Sequence, residues 1–200
     1  TIESRGCKCF ILPEKLFKEI SDTETPQGIM AVLRTRHFGI DEIVRENASL
    51  VILDAVQDPG NMGTIIRTAD AAGFDGIIMS KGCVDVYNPK VIRATMGSIF
   101  RVPFNFSENL TDTIRILKSK DIRVIAAHLK GDKNYFELDM DGNIAVVIGN
   151  EANGISDDVT VLADELVRIP MVGRTESLNA SVAAGLHRYE VLRQRWNKKN

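Results

Sequence analysis

The sequence predicts an α/β fold: a mostly parallel six-stranded sheet with helices on both faces. Three observations carry this reading. Short apolar runs such as residues 51–55 and 144–149 are continuous rather than alternating, as in strands buried on both faces. They alternate with amphipathic stretches, among them one that places Leu110, Ile114 and Leu117 on one side. Gly, Pro, Asn and Asp punctuate the junctions.

In chain order, residues 6–12 read as a short strand, and Pro13 opens a helix with Leu16, Phe17 and Ile20 at helical spacing. Residues 21–27 form a polar turn around Pro26, and residues 28–33 read as a second strand. Residues 34–47 are mixed and charged, the composition of a linker. From Ser49 the pattern becomes regular. Strands are expected at 51–55, 76–79, 101–104, 122–127, 144–149 and 167–169, six in all. Helices are expected at 63–72, from Pro89 onward, at 108–118, at 156–162 and at 179–196.

The 200 residues carry 25 Lys+Arg against 27 Asp+Glu, a net charge of −2, and 44% are hydrophobic. Disorder is therefore not expected. Bulk positive charge cannot be the source of any nucleic-acid affinity, although a local basic face can be. Three cysteines at irregular spacing do not form a disulfide framework and suit a reducing, cytoplasmic setting. Cys7 and Cys9 share one side of the expected first strand but lack a second ligand pair. His37, His128 and His187 are dispersed, so no metal site is expected. No apolar run reaches the length of a membrane span. The first residues lack the charged and apolar regions of a signal peptide, and the absence of an initial Met suggests a fragment or processed chain.

Three clusters carry the candidate chemistry. In LDAVQDPGNMGTIIRTAD, residues 53–70, a buried strand runs into a turn and then a helix. Asn61 and Gly63 fall at the carboxyl end of a parallel strand, where ligands bind, and Arg67 lies about one helical turn beyond Gly63. A plain turn with a surface arginine explains this spacing equally well. In IAVVIGNEANGI, residues 144–155, Gly149 lets a ligand approach the backbone, and Glu151 is an acid at a strand end. A solvated loop glutamate is the competing explanation. In IPMVGRTESLNASVAAGLHRYE, residues 169–190, Ser177 and Asn179 precede a long helix, and helix capping alone explains one of them. His187 reads as structural or solvated.

Other chemistries lack their signatures. There is no G-x-G-x-x-G, G-x-S-x-G or H-E-x-x-H. Gly149 to Gly154 has the glycine spacing of a P-loop, but Ile155 stands where Lys is required.

Together, DPGNMGTIIRTADAAGF, VVIGNEANGIS and IPMVGRTESLNASVAAGLHRYE resemble the three signature motifs of the SpoU/TrmH family of the SPOUT superfamily. These are S-adenosylmethionine-dependent RNA ribose 2′-O-methyltransferases. The resemblance spans about residues 50–190, and the three motifs in this order are highly specific. SDTETPQGIMAV also resembles the end of the L30e-like RNA-binding domain that precedes the catalytic domain in many members. The domain reading is therefore residues 1–36 as the C-terminal part of an L30e-like substrate-binding domain, 37–48 as linker and 49–200 as catalytic domain.

The resemblance implies a C-terminal trefoil knot, which periodicity could not suggest because threading is nearly absent among proteins. It implies S-adenosylmethionine bound in the knot by Gly149, Asn150, Ile169, Met171 and Leu178. It implies a homodimer through the C-terminal helix, with the site built from both subunits. The catalytic residues it implies are Arg67, Asn61, Glu151, Ser177 and Asn179. Because guanidinium hardly deprotonates, Arg67 is expected to grip the phosphate beside the target ribose and favour the alkoxide. Asn61 and Asn179 orient Arg67 or the ribose, and Ser177 hydrogen-bonds the substrate or relays a proton. Glu151 positions Arg67 or Asn61 and favours a cationic cofactor.

RNA affinity is expected from Arg34, Arg36, Arg93 and Arg101, with a further basic crowd of Arg188, Arg193, Arg195, Lys198 and Lys199 on the terminal helix. Recognition should be by RNA shape and exposed nucleotides, ribosomal RNA being favoured and transfer RNA the alternative. DNA is not expected as a substrate. Two rival readings are a non-catalytic RNA-binding or assembly factor and a base methyltransferase of a sister SPOUT family. The full set of motif residues argues against the first, and the N-x-G-x-x-x-R and S-L-N-x-S patterns favour ribose over base.

Overall fold

The computed structural model describes residues 6–199. The chain divides into two units, Thr1–Arg36 and His37–Asn200. Within the first, helix α1 (Glu14–Ile20) starts after Pro13 and carries a Glu14–Lys18 ion pair at 2.6 Å. Neither residues 6–12 nor 28–33 forms the expected strand. A strand exists by pairing with a neighbour. Among the described residues neither run has one, and Phe10, Ile11, Ile29 and Val32 stay exposed. Cys7 and Cys9 therefore lie on irregular chain and share no strand face.

The second unit begins within the expected linker. There α2 (Ile40–Ile43) buries Ile43, and Ala48 is buried beside it. Then follow β1 (Ser49–Leu53), α3 (Pro59–Ala71), β2 (Gly76–Ser80), α4 (Pro89–Ala94), β3 (Phe104–Ser107), α5 (Leu110–Ser119), β4 (Arg123–Ala127), β5 (Lys133–Asn134), β6 (Ile144–Ile148), α6 (Asp157–Thr160), β7 (Glu165–Arg168) and α7 (Ala180–Lys199). The strands form one parallel sheet in the order β3-β2-β1-β6-β4-β7-β5.

Strand periodicity explains the two cores. Val51 and Leu53 of β1 point to one face, where they pack with Ile65 and Ile66 of α3, Val91 of α4 and Ala184 and Val191 of α7. Leu50 and Ile52 point to the other face and join Ile114 and Leu117 of α5 and Val159 of α6. Every residue of β1 and β6 is buried, which is why these runs are apolar without alternation. Each such Leu, Ile or Val contributes roughly 1.5–3 kcal/mol relative to exposure.

Three further elements, in the second unit, depart from expectation for identifiable reasons. Helix α3 begins at Pro59, not Gly63, because Asp58 caps it by accepting from Asn61 N at 2.7 Å and Pro59 suits the first helical position. Asn61 is thus held in the first turn of a helix. Strand β3 starts at Phe104, because residues Ser98–Phe100 form a 3₁₀ turn and Pro103 has no N–H to donate. The seventh strand, β5, is two polar residues long and has no apolar pattern to announce it.

β7 lies between β4 and β5, although β4 and β5 are joined by only residues 128–132. That connection crosses over β7. Gly131 sits on the crossing, where a Cβ would lie 2.6 Å from Val167 C and 2.8 Å from Arg168 N, both backbone atoms. Gly131→Ala must push the two segments apart, so we predict a loss of about 1–3 kcal/mol in urea unfolding. Gly173→Ala, where a Cβ meets nothing within 4 Å, should change stability by less than about 0.5 kcal/mol. Equal effects at the two positions would show that the crossing is not tightly packed.

Candidate active site

β1 and β6 are adjacent in the sheet, but the chain leaves β1 for β2 on one side and leaves β6 for β7 on the other. Such a reversal opens a crevice at the carboxyl ends of the strands. A cavity of about 460 Å³ lies on the β6 side of this reversal, walled by the carboxyl ends of β4, β6 and β7 at Ala127, Ile148 and Val167, and by the first two turns of α7. The loop 149–155 and the segment 168–178 complete it.

The loop after β6 is shaped by backbone contacts. A Cβ at Gly149 would lie 2.2 Å from Gly154 C, so only glycine fits. Asn150 and Gly154 exchange backbone hydrogen bonds, each of 2.9 Å. Asn150 Oδ1 accepts from Ala152 N and Asn153 N at 2.9 and 3.0 Å, while its Nδ2 donates to Ala55 O at 2.7 Å. Asp54, at the end of β1 and 8% exposed, accepts from Ser156 N and Oγ at 2.8 and 2.7 Å. Asp54 and Ser156 thus brace the loop from outside the cavity lining, a role the motifs do not announce. The only signal was a carboxylate closing an apolar strand.

Three motif residues meet in a clasp. Asn61 Nδ2 donates to Glu151 Oε1 at 2.9 Å, and Asn61 Oδ1 accepts from Asn179 Nδ2 at 2.8 Å. Asn179 Oδ1 in turn accepts from Ser181 N, Ser181 Oγ and Val182 N at the start of α7. The amide orientations follow from chemistry: a carboxylate only accepts, so Asn61 must present its NH₂ to Glu151 and its oxygen to Asn179. Glu151 also accepts from Gln57 N and Asp58 N at 3.3 and 3.4 Å. Partial burial pushes its carboxyl up. The bonds from Asn61 and from the backbone N–H of Glu151, Gln57 and Asp58 outweigh this and hold it below the ordinary 4.5.

Of the expected cofactor residues, Gly149, Asn150, Ile169, Met171 and Leu178 all line the cavity, as do Glu151 and Ser177. Asn61 and Asn179 stand behind Glu151 in the clasp. Arg67 is exposed on α3, outside the cavity lining and without a hydrogen bond or ion pair among the described residues.

The basic residues divide differently from expectation. Arg93 is exposed, as are Arg34 and Arg36 in the N-terminal unit. Arg101 is committed to Asp70, at 2.6 and 2.8 Å, and to Ser98. That bond from Arg101 is the main reason the Asp70 carboxyl is held below its ordinary value. Among the described residues the terminal helix offers no loose basic crowd. Arg188 is fully buried, its guanidinium 5.5 Å from the Phe74 ring centre and bonded to Ile65 O, and burial pushes it down to about 9. Arg195 donates to Gly142 O at 2.6 Å, to Asn47 O and to Ser49 Oγ. Arg193 pairs with Glu190, and Lys198 with Asp141, both at 2.7 Å. The side chain of Lys199 lies outside the described residues. Among the described residues no cluster of His, Cys, Asp or Glu could hold a metal, and no helix is long and apolar enough to cross a membrane.

The fold and site thus define a parallel α/β protein with a cavity at the carboxyl ends of β4, β6 and β7, bordered by a clasp of distant motif residues. The SpoU rRNA Methylase family model matches residues 48–189, and the chain belongs to that family. The 23S rRNA (guanosine(2553)-2'-O)-methyltransferase RlmP of Bacillus subtilis (strain 168) is 36% identical over 186 residues, 93% of this chain and 73% of that protein. An AdoMet-bound rRNA methyltransferase from Sinorhizobium meliloti is similar with a TM-score of 0.85 at 37% identity, covering 90% of this chain and 70% of that one. The SpoU methyltransferase AviRb from Streptomyces viridochromogenes, in complex with AdoMet, gives 0.77 at 35% identity, covering 81% of this chain and 66% of that one.

The clasp carries a pH signature. Because the folded-state value of Glu151 is depressed, its stabilising contribution is full above the unfolded value near 4.5 and is lost as pH falls through the lower folded value. The stability difference between wild type and Glu151→Gln in urea should therefore be constant from neutral pH down to about 5.5. It should shrink as the pH falls below 4.5. A difference that is flat across this range would mean that the carboxylate charge contributes nothing.

Proposed function

We propose that this chain transfers the methyl group of S-adenosylmethionine to a ribose 2′-hydroxyl of structured RNA, ribosomal RNA before transfer RNA. The observation that carries the reading is the clasp, which draws Asn61, Glu151 and Asn179 from three separate motifs to the edge of one cavity. The name of the Bacillus relative favours ribosomal RNA. A Staphylococcus aureus relative, 38% identical over 176 residues, is named as a putative TrmH family tRNA/rRNA methyltransferase and keeps transfer RNA as the alternative.

The cavity fits the cofactor. Its volume of about 460 Å³ is that of a small-molecule site. Ile148, Val167 and Ala183 offer an apolar wall to a flat purine, and the Glu151 carboxylate at the edge suits a cation. Gly149, Asn150, Ile169, Met171 and Leu178 would hold it, largely by backbone. S-adenosylmethionine supplies a methyl already activated on a sulfonium. What remains for the chain is to align a hydroxyl and favour its loss of a proton. Glu151, locked by Asn61, keeps a negative charge beside the cationic cofactor and favours it over the neutral product. Ser177 is exposed at the cavity and can hydrogen-bond the substrate. Arg67, whose side chain has no partner among the described residues, is available to grip a phosphate in bidentate fashion and to favour the alkoxide electrostatically.

The same reading includes a trefoil knot and a homodimer. The crossing of β7 by residues 128–132 supports the knot, because the chain continuing from Arg168 into α7 leaves from under that crossing. Val182, Tyr189 and Trp196 form an exposed stripe at seven-residue spacing on α7, which supports a dimer seam there. A site completed by a second copy would also explain why Arg67 stands outside its own cavity. Residues 1–36 are read as the end of an RNA-binding domain, with Arg34 and Arg36 on it and Arg93 on the catalytic domain as RNA contacts. The enzyme would work on RNA in the cytoplasm.

Single-turnover methyl transfer tests the central residue. Arg67→Ala should slow the step by about 10²–10³-fold with S-adenosylhomocysteine affinity unchanged, and Arg67→Lys should recover part of the rate. Near-wild-type rates in both variants with intact cofactor binding would refute the role of Arg67.

A further inference from the structure

Ala180, Ala183 and His187 line the cavity from successive turns of α7. His187 is fully buried. Its Nδ1 lies 2.8 Å from Ala183 O, and a carbonyl only accepts, so Nδ1 carries the hydrogen. Burial pushes its pKa below the ordinary 6.5, against the smaller opposing effect of the Ala183 bond, and the ring is neutral. A neutral ring protonated at Nδ1 leaves Nε2 as a bare acceptor, and Nε2 is buried with no partner among the described residues. The Tyr135 ring packs against the imidazole at 5.3 Å between centroids and restrains its orientation.

A buried acceptor left unpaired opposes folding, and a leucine would fill the same space without that penalty. Packing alone therefore does not account for a histidine here. The surrounding wall, Ile148, Val167 and Ala183, is apolar. It suits a flat aromatic ring that brings one hydrogen-bond donor. On the cofactor proposed above, the ammonium and the ribose hydroxyls are strongly hydrated groups suited to the polar edge near Glu151. The purine is the part suited to the apolar wall, and its only donor is the exocyclic amino group.

We propose that His187 Nε2 accepts a hydrogen bond from the adenine amino group of the cofactor and makes this site selective for adenine. The inference rests on reading the cavity as the cofactor site. It assigns a side chain to base recognition beyond the backbone contacts of the glycine-rich loop.

The test pairs a change in the protein with a change in the ligand. S-adenosylhomocysteine and its 6-deamino counterpart, with hydrogen in place of the amino group, are titrated calorimetrically into wild type and His187→Leu. Wild type should bind the 6-deamino ligand about tenfold more weakly, and His187→Leu should bind the two within about twofold of each other. Should His187→Leu fail to fold, the wild type still decides the matter. In ¹⁵N-histidine spectra, the Nε2 resonance of His187 should move upfield with S-adenosylhomocysteine and stay in place with the 6-deamino ligand. Equal affinity of wild type for both ligands, or an Nε2 signal that ignores the amino group, overturns the role of His187 and leaves the cofactor site standing. Failure of wild type to bind S-adenosylhomocysteine at all overturns the cofactor reading itself.

Discussion

The site depends on the side-chain amide of Asn61. One end of that amide donates to Glu151, 90 residues away, and the other accepts from Asn179, 118 residues away. Asparagine offers the two partners separate donor and acceptor atoms, where a serine hydroxyl would have a single oxygen for both. Aspartate could not donate to a carboxylate, and leucine could do neither. The helix that carries Asn61 starts early enough to place it only because Asp58 and Pro59 open α3 before the glycines. Position, capping and hydrogen-bond chemistry therefore converge on one residue, and through it three motifs become one site. The arrangement is held by charge-assisted bonds to a carboxylate, which are stronger than neutral ones.

The sheet makes this meeting possible. Placing β6 beside β1, and β7 between β4 and β5, brings the carboxyl ends of strands distant in sequence around a single cavity. Backbone then approaches backbone at Gly149 and Gly131, where any side chain would collide. The approach at Gly149 builds part of the cavity wall from main chain. The polar side chains are left for the edge, where a reaction would occur.

The charge balance acquires a structural meaning in the same way. Several cations of α7 are spent inside the catalytic unit. Arg195 gathers carbonyls at the amino ends of β1 and β6, Arg193 and Lys198 pair with acids, and Arg188 is buried over Phe74. Arg101 is held by Asp70. A net charge of −2 thus coexists with a few exposed arginines, Arg67 and Arg93 among them, whose local placement matters more than the sum.

Much of the catalytic fold was legible because buried parallel strands and capped helices leave strong local patterns, as in β1, β6 and α5. The cavity residues Gly149, Ile169 and Leu178 were legible through motif resemblance rather than spacing. What was hidden is non-local. The pairing of Asn61 with Asn179, the burial of Arg188 and His187, and the two-residue strand β5 depend on partners that no window of sequence contains. Residues 6–12 and 28–33 misled for the converse reason, since apolar runs look like strands whether or not a neighbour pairs with them.

The proposed reaction requires that the acceptor be a ribose hydroxyl. The most direct measurement is nuclease digestion of RNA methylated by this chain, followed by mass spectrometry of the nucleosides. The methyl is expected on ribose, and it should disappear when the target nucleotide is replaced by its 2′-deoxy form. A methyl found on a base, or methylation that survives loss of the 2′-hydroxyl, would contradict that reaction.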